Sequence, residues 1–216
     1  VWQLLPWQIS EEDTQTIQAE LRSFESFFAR MDIYGPPGAN ATDSLEKLFA
    51  ISSRHPEVIQ AAAKLTEIYR EDALVSFRRE DLEDALLLVS RGLEYSPGHS
   101  DLLQLQGEIE KAMQRQKVFQ LVARAQRAVE LGNLLPPEDG NACDLFRQVQ
   151  ELDPGNESAD SGLREIQFLI AEQARDVWGR EGLDSARGLA DLGLESFPES
   201  VLLNDLLSDI ERSEQQ

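Results

Sequence analysis

Only one cysteine, Cys143, and two histidines, His55 and His99, occur among the 216 residues. A lone thiol excludes an internal disulfide and cannot by itself supply a thiolate-rich zinc site. Each histidine stands beside a proline, His55 before Pro56 and His99 two residues after Pro97, where turn or cap roles are expected. No His-Glu-x-x-His, cysteine pair or calcium-loop spacing appears. The glycine-proline stretch at 35–38 lacks the lysine and downstream hydroxyl of a nucleotide-phosphate loop. With so few groups suited to general-base, metal or phosphate chemistry, the expectation is no enzyme, no cofactor and no metal site.

Long apolar runs and strand-like alternation are also missing. The longest unbroken apolar stretch, 85–89, is far short of the roughly 20 residues of a membrane helix, so no direct membrane insertion is expected. Basic residues are scarce, 20 against 40 acidic, and the net charge of −20 repels phosphate backbones and anionic membrane surfaces. Nucleic acid is therefore a poor partner, and none is expected. A hydrophobic share of 41% and a charged share of 28% place the chain among soluble globular proteins. It opens on Val1 without a signal-like segment, which reads as a piece of a longer protein whose targeting lies elsewhere.

What is present is helical periodicity. In 81–95 the residues Leu82, Ala85, Leu86, Val89 and Leu93 recur at spacings of three and four, with charged residues opposite. Proline, glycine and capping residues divide the chain into about nine helices, near 11–31, 43–53, 56–79, 81–95, 100–131, 141–152, 156–179, 183–196 and 199–213.

An internal repeat runs through these segments. The run Gly38-Ala-Asn-Ala-Thr-Asp43 returns as Asp139-Gly-Asn-Ala-Cys-Asp144, each after a Pro-Pro pair, Pro36 with Pro37 and Pro136 with Pro137. Further on, Ala85 and Gly92 return as Ala186 and Gly193, a displacement of 101 positions. Between them Pro56, Ala61, Leu65 and Ile68 match Pro154, Ala159, Leu163 and Ile166 at 98, which implies three extra residues in the first copy's turn. The expected division is a lead-in at 1–10, a first double hairpin at 11–98, and a second at 99–216 with a C-terminal capping helix, in one continuous solenoid.

A smaller pattern underlies both copies. Ala85, Val89, Gly92 and Pro97 share their spacing with Ala186, Ala190, Gly193 and Pro198, with Ala142, Phe146, Val149 and Pro154, and weakly with Ser44, Leu48, Ile51 and Pro56. This pattern resembles the second helix of the tetratricopeptide repeat, and Leu152-Asp-Pro-Gly-Asn156 resembles the turn between such repeats. The closing prolines stand 41, 57 and 44 positions apart, against about 34 in the family, so several first helices are longer than the family's. Ala73 and Ala174 stand for its small first-helix residue, while its aromatic positions are mostly replaced. The resemblance implies an all-α, right-handed superhelix of hairpins whose first helices line a concave groove that holds a peptide or partner helix.

Candidate contact residues are read on that basis. The segment 110–131 carries Lys111, Arg115, Lys117, Arg124 and Arg127 against only Glu110 and Glu130. It is either a cationic stripe for an acidic partner or a set of cations paired with neighbouring carboxylates. Phe77 with Arg78, and Trp178 with Arg175, lie near the ends of two first helices, and the aromatics serve either contact or core. Cys143 begins a helix, where the dipole could lower a thiol's pKa, but its counterpart Thr42 argues for a position that accepts a small side chain. The triplets Asn40-Ala-Thr42 and Asn156-Glu-Ser158 fit the glycosylation pattern and equally suit caps. The apolar segment 1–9 either caps the first hairpin or continues an upstream part.

The function expected is a protein-interaction or scaffolding module of a larger bacterial protein, with a protein or peptide partner of acidic character. The resemblance places such segments beside membrane-anchored signalling or envelope parts, as a soluble periplasmic domain, with a cytoplasmic setting as the alternative. Competing readings are a homodimerisation module and a small-ligand sensor, the latter favoured by a deep, enclosed groove.

Overall fold

In a computed structural model that describes residues 10–214, nine helices and no strand occur among the described residues. They are α1 (Glu11–Ala29), α2 (Ala41–Ser52), α3 (Pro56–Arg78), α4 (Leu82–Tyr95), α5 (Ser100–Glu130), α6 (Ala142–Leu152), α7 (Glu157–Glu181), α8 (Leu183–Ser196) and α9 (Val201–Glu214). None is long and apolar enough to cross a membrane. The helix starts follow local chemistry. Ser10 accepts the Asp13 N–H (3.0 Å) before an acidic first turn, and Asn40, Asp81, Asn141 and Asn156 each accept a backbone N–H three residues on. Proline at the first position of α3 loses no hydrogen bond there.

The chain forms two compact units, Val1–Ala112 and Met113–Gln216. In unit 1, α1 packs on α2 and α3 on α4, around Ile17, Phe24, Leu45, Leu48, Val58 and Leu65. In unit 2, α7 packs on α6, α8 and α9, around Phe146, Val149, Ile166, Leu203, Leu206 and Ile210. The division falls inside α5 and not at the proline turn near 98, because Leu102 of α5 lies against Gly92 of α4. The segment 1–9, expected to cap the first hairpin, lies outside the described residues.

Positions 101 apart play matching roles in most elements. Asn40 and Asn141 are both buried caps, and the Ala41 and Ala142 N–H groups donate to Asp32 O and Asn133 O. Met31 and Gly132 both close a helix in the left-handed region (φ 59° and 76°), with Asp32 N–H on Phe27 O and Asn133 N–H on Ala128 O. His55 and Asn156 are both N-caps, and Leu102, Leu105 and Ile109 are buried like Leu203, Leu206 and Ile210. At this displacement α1 corresponds to the second part of α5, and α9 to its first part.

The match at 98 and the three-residue insertion are therefore overturned. In α3 and α7 the buried pairs are Val58 with Ala159, Ala61 with Gly162, Leu65 with Ile166, Tyr69 with Ile170 and Ala73 with Ala174, all at 101. A slip of three residues is nearly one helical turn, so it lays apolar on apolar and leaves the periodic pattern almost unchanged. The same slip explains the weak match of Ser44, Leu48 and Ile51. The residues equivalent to Ala142, Phe146 and Val149 are Ala41, Leu45 and Leu48, all fully buried. The proline pairs are likewise out by one, Pro36 standing where Pro137 does.

The small residues act by permitting close approach. A Cβ on Gly92 would lie 2.6 Å from Leu102 Cδ1, one on Gly193 would lie 3.0 Å from Ile170 Cγ2 and from Leu203 Cδ1, and one on Gly162 would collide with the Phe146 ring. Ala85 and Ala186 are fully buried in equivalent places. Gly162→Ala and Ala186→Leu should each destabilise by about 1 to 3 kcal/mol through overpacking. Gly188→Ala, on a helix position with open space around it, should stabilise by roughly 0.5 to 1 kcal/mol. Urea denaturation of the three variants reads the signs, and a destabilising Gly188→Ala would contradict this packing.

Candidate functional site

Unit 1 carries an open pocket of about 620 Å³ where the α1–α2 connection and α2 face α3 and α4. Tyr34 comes from the connection, Thr42, Asp43 and Glu46 from α2, Tyr69, Asp72, Val75 and Ser76 from α3, and Asp84, Leu87, Leu88 and Arg91 from α4, with Arg79 at the rim. The register of α3 places Tyr69, Asp72 and Ser76 at spacings of three and four, hence along one edge of the helix. Val75 and Leu87 remain 40% and 57% exposed, an apolar wall left without a partner.

The hydroxyl groups form a short polar network. Tyr34 Oη donates to Asp72 Oδ2 (2.5 Å), Ser76 Oγ donates to Asp84 Oδ2, and Thr42 Oγ1 donates to Ile33 O (2.9 Å), which leaves the Tyr69 hydroxyl to donate to Thr42 Oγ1 (3.3 Å). The Tyr34 and Tyr69 rings lie 5.5 Å apart, tilted by 52°, and Tyr69 stacks on Tyr95 at 6.1 Å. Burial pushes the phenols of Tyr34, Tyr69 and Tyr95 above the usual range, and the Asp72 carboxylate beside Tyr34 adds to its shift. Asp43 is committed to the start of α2, accepting from Asn40 Nδ2 and the Gly38 N–H. Arg91 is paired with Glu94 (3.2 Å). Glu46 makes no hydrogen bond or ion pair among the described residues.

Unit 2 has a cavity at the equivalent place, about 200 Å³, with a different lining. Leu135 replaces Tyr34, Ile170 replaces Tyr69, Gln173 replaces Asp72 and Leu192 replaces Arg91. At the position of Glu46 stands Arg147, which donates to Ser196 O and lies 5.6 Å from the Phe197 ring centroid. The helical frame thus accepts different side chains at these positions. Packing requires Tyr69, which belongs to the unit 1 core, but not the half-exposed Tyr34 or the pocket carboxylates.

The residues singled out from the sequence lie elsewhere. Phe77 and Arg78 end α3, with Phe77 half-buried and Arg78 exposed. Lys117, Arg124 and Arg127 are exposed on the unit 2 part of α5; Arg127 is paired with Glu130 (2.7 Å), while Lys117 and Arg124 form no ion pair among the described residues. Arg175 is exposed on α7, and Trp178 packs against the unit 2 core, so its aromatic bulk serves packing. The tyrosine pocket was missed because its residues are scattered over four elements. Its signal lies in comparing the copies at 101, where Tyr34 and Tyr69 match Leu135 and Ile170, and Glu46, Asp72 and Asp84 match Arg147, Gln173 and Ser185.

The other reactive groups are structural. His99 Nδ1 accepts the Leu102 N–H (3.3 Å) as the α5 cap, so its other nitrogen donates to Glu67 Oε1 (3.1 Å). Arg70 and then His99 hold the Glu67 carboxyl below its ordinary range. Asn40 is 2% exposed with its amide on Pro36 O and Asp43, which closes that triplet to modification of the folded chain. Cys143 is fully buried, and desolvation raises its thiol, opposite to what a helix start alone suggests.

Two titrations check these environments. The chain's three tyrosines all keep their protons beyond the pH of about 10 at which an unfolded phenol ionises. Their contribution to stability is complete below that pH and declines as pH rises above it. Tyrosinate absorbance of the folded chain should therefore rise above the pH of an unfolded phenol, with Tyr69, 3% exposed, ionising only on the alkaline unfolding seen by circular dichroism, and ionisation of all three near pH 10 in the folded chain would contradict these environments. Cys143 should react with a thiol reagent only when denaturant is added.

Comparison of the chain with protein-family descriptions, with curated proteins and with solved structures found no match in any of the three.

Proposed function

We propose that the chain is a protein-interaction module, a tetratricopeptide-like superhelix of helical hairpins whose unit 1 pocket holds a segment of a partner polypeptide. The observation that carries this reading is the contrast between equivalent pockets on one helical frame, smaller and mostly aliphatic in unit 2, larger and lined by two tyrosines and four carboxylates in unit 1. Side chains that the fold does not need, gathered around an exposed apolar wall, are accounted for by something they bind. The half-exposed lining favours an extended polypeptide over an enclosed small molecule, which keeps the sensor reading in second place. A homodimer would need no such difference between the copies.

A random-peptide selection on the full chain tests the reading. Peptides selected on the parent should lose binding to a Val75→Glu, Leu87→Glu double variant of unchanged melting temperature, because both side chains are exposed and support no core. Equal binding to the variant would move the site away from this pocket.

The basic part of α5 supports a second surface, for an acidic segment. Lys117 and Arg124 have no carboxylate partner among the described residues, and Phe119 beside them is 75% exposed. If this surface takes the partner, Lys117→Glu with Arg124→Glu should slow association by about tenfold at low salt and by much less at high salt, without changing stability. A salt-independent association rate in surface plasmon resonance would remove it.

A further inference from the structure

We infer that the occupant of the unit 1 pocket is an arginine side chain of the partner segment, followed by an apolar residue. The inference rests on the reading of this pocket as a partner site and adds the chemistry of what enters it.

Charge is the first step. Four carboxylates line the pocket, Asp43, Glu46, Asp72 and Asp84, against two guanidinium groups, Arg79 and Arg91. The donors on Asp72 and Asp84 are neutral hydroxyls, which orient the carboxylates without compensating their charge. Arg91 is already held by Glu94. Glu46 has no partner among the described residues, so the α2 side of the pocket presents an unanswered anion. An anionic ligand would meet this field at a cost, and a neutral one would leave it unused.

Unit 2 supplies the second step. At the position of Glu46 it places Arg147, whose guanidinium reaches from α6 to the end of α8, donating to Ser196 O and lying over the Phe197 ring. The frame therefore accommodates a guanidinium between its second and fourth helices. In unit 1 this position is the exposed Glu46, and the residues equivalent to Ser196 and Phe197 are Tyr95 and Ser96, so no internal cation takes its place. Unit 1 thus lacks the cation that unit 2 carries at this point of its second helix, and Glu46 is left on the pocket lining without one.

Shape selects arginine over lysine. A planar fork can lie against the half-exposed Tyr34 ring while its donors face Glu46 and Asp72, whereas an ammonium offers a point charge to one of these at a time. The methylene stem and the following apolar side chain would cover Val75 and Leu87, the exposed wall.

The test uses the full chain, labelled with ¹⁵N, and blocked alanine hexapeptides with a central arginine and leucine, or with lysine, citrulline or glutamate in place of the arginine. The arginine peptide should shift the amides of Tyr34, Asp72 and Arg91 and leave Gln173 and Leu192 unmoved. Citrulline, which keeps the shape and loses the charge, should bind at least about tenfold more weakly, and glutamate should not bind, as expected for one charge-assisted contact. Glu46→Gln, at an exposed side chain with no contact to lose, should weaken the arginine peptide about tenfold with an unchanged spectrum elsewhere. Asp72→Asn should do the same. Citrulline binding as tightly as arginine, or arginine shifts confined to other residues, would overturn the inference while leaving a peptide site in place. If no peptide of any charge shifts the pocket amides at millimolar concentration, the inference and the reading beneath it both fall.

Discussion

The hairpins of both units depend on the near absence of side-chain volume at a few helix positions. Gly92, Gly162 and Gly193 sit where an added carbon would enter Leu102, Phe146, or Ile170 and Leu203. Backbones meeting this closely leave no room for water and let the larger residues beside them interlock. The burial of Ala85, Ala186, Ala73 and Ala174 follows from the same approach. A chain with 28% charged residues and a net charge of −20 can hold together because its few uncharged faces fit at short range.

Most of the helical frame was legible beforehand because caps and breakers are local. Asn40, Asn141 and Asn156 announce helix starts by a side chain that reaches three residues on, and proline ends what precedes it. Register was harder to read. The pairs Leu65 with Leu163 and Ile68 with Ile166 look better as letters than Leu65 with Ile166, yet only the last pair is buried in both copies. Identity of side chain is a weak guide when any aliphatic residue satisfies the same core position.

The candidate site was less legible for a different reason. Lys117, Arg124 and Arg127 stood out because like charges close in sequence are conspicuous, and Trp178 because it lies near the end of a long helix as Phe77 does in the first copy. The pocket draws Tyr34, Glu46, Asp72 and Leu87 from four separate elements, and each looks like an ordinary surface residue in its own neighbourhood. Only tertiary folding brings them together. Trp178 shows the converse, an aromatic whose place allowed either contact or core and which packs against the unit 2 core.

The bend after α1 and the bend after α5 use the same left-handed residue and the same pair of backbone hydrogen bonds, yet one is Met31 and the other Gly132. Glycine adopts that conformation without steric penalty, and methionine does not. The two copies therefore form a paired comparison carried within a single molecule. Where they agree in kind, as at the buried asparagine caps, the frame tolerates little else. Where they differ, each copy records a substitution that the other's backbone has already accepted, so the tolerance of this architecture to drift can be read from one chain without reference to any second protein.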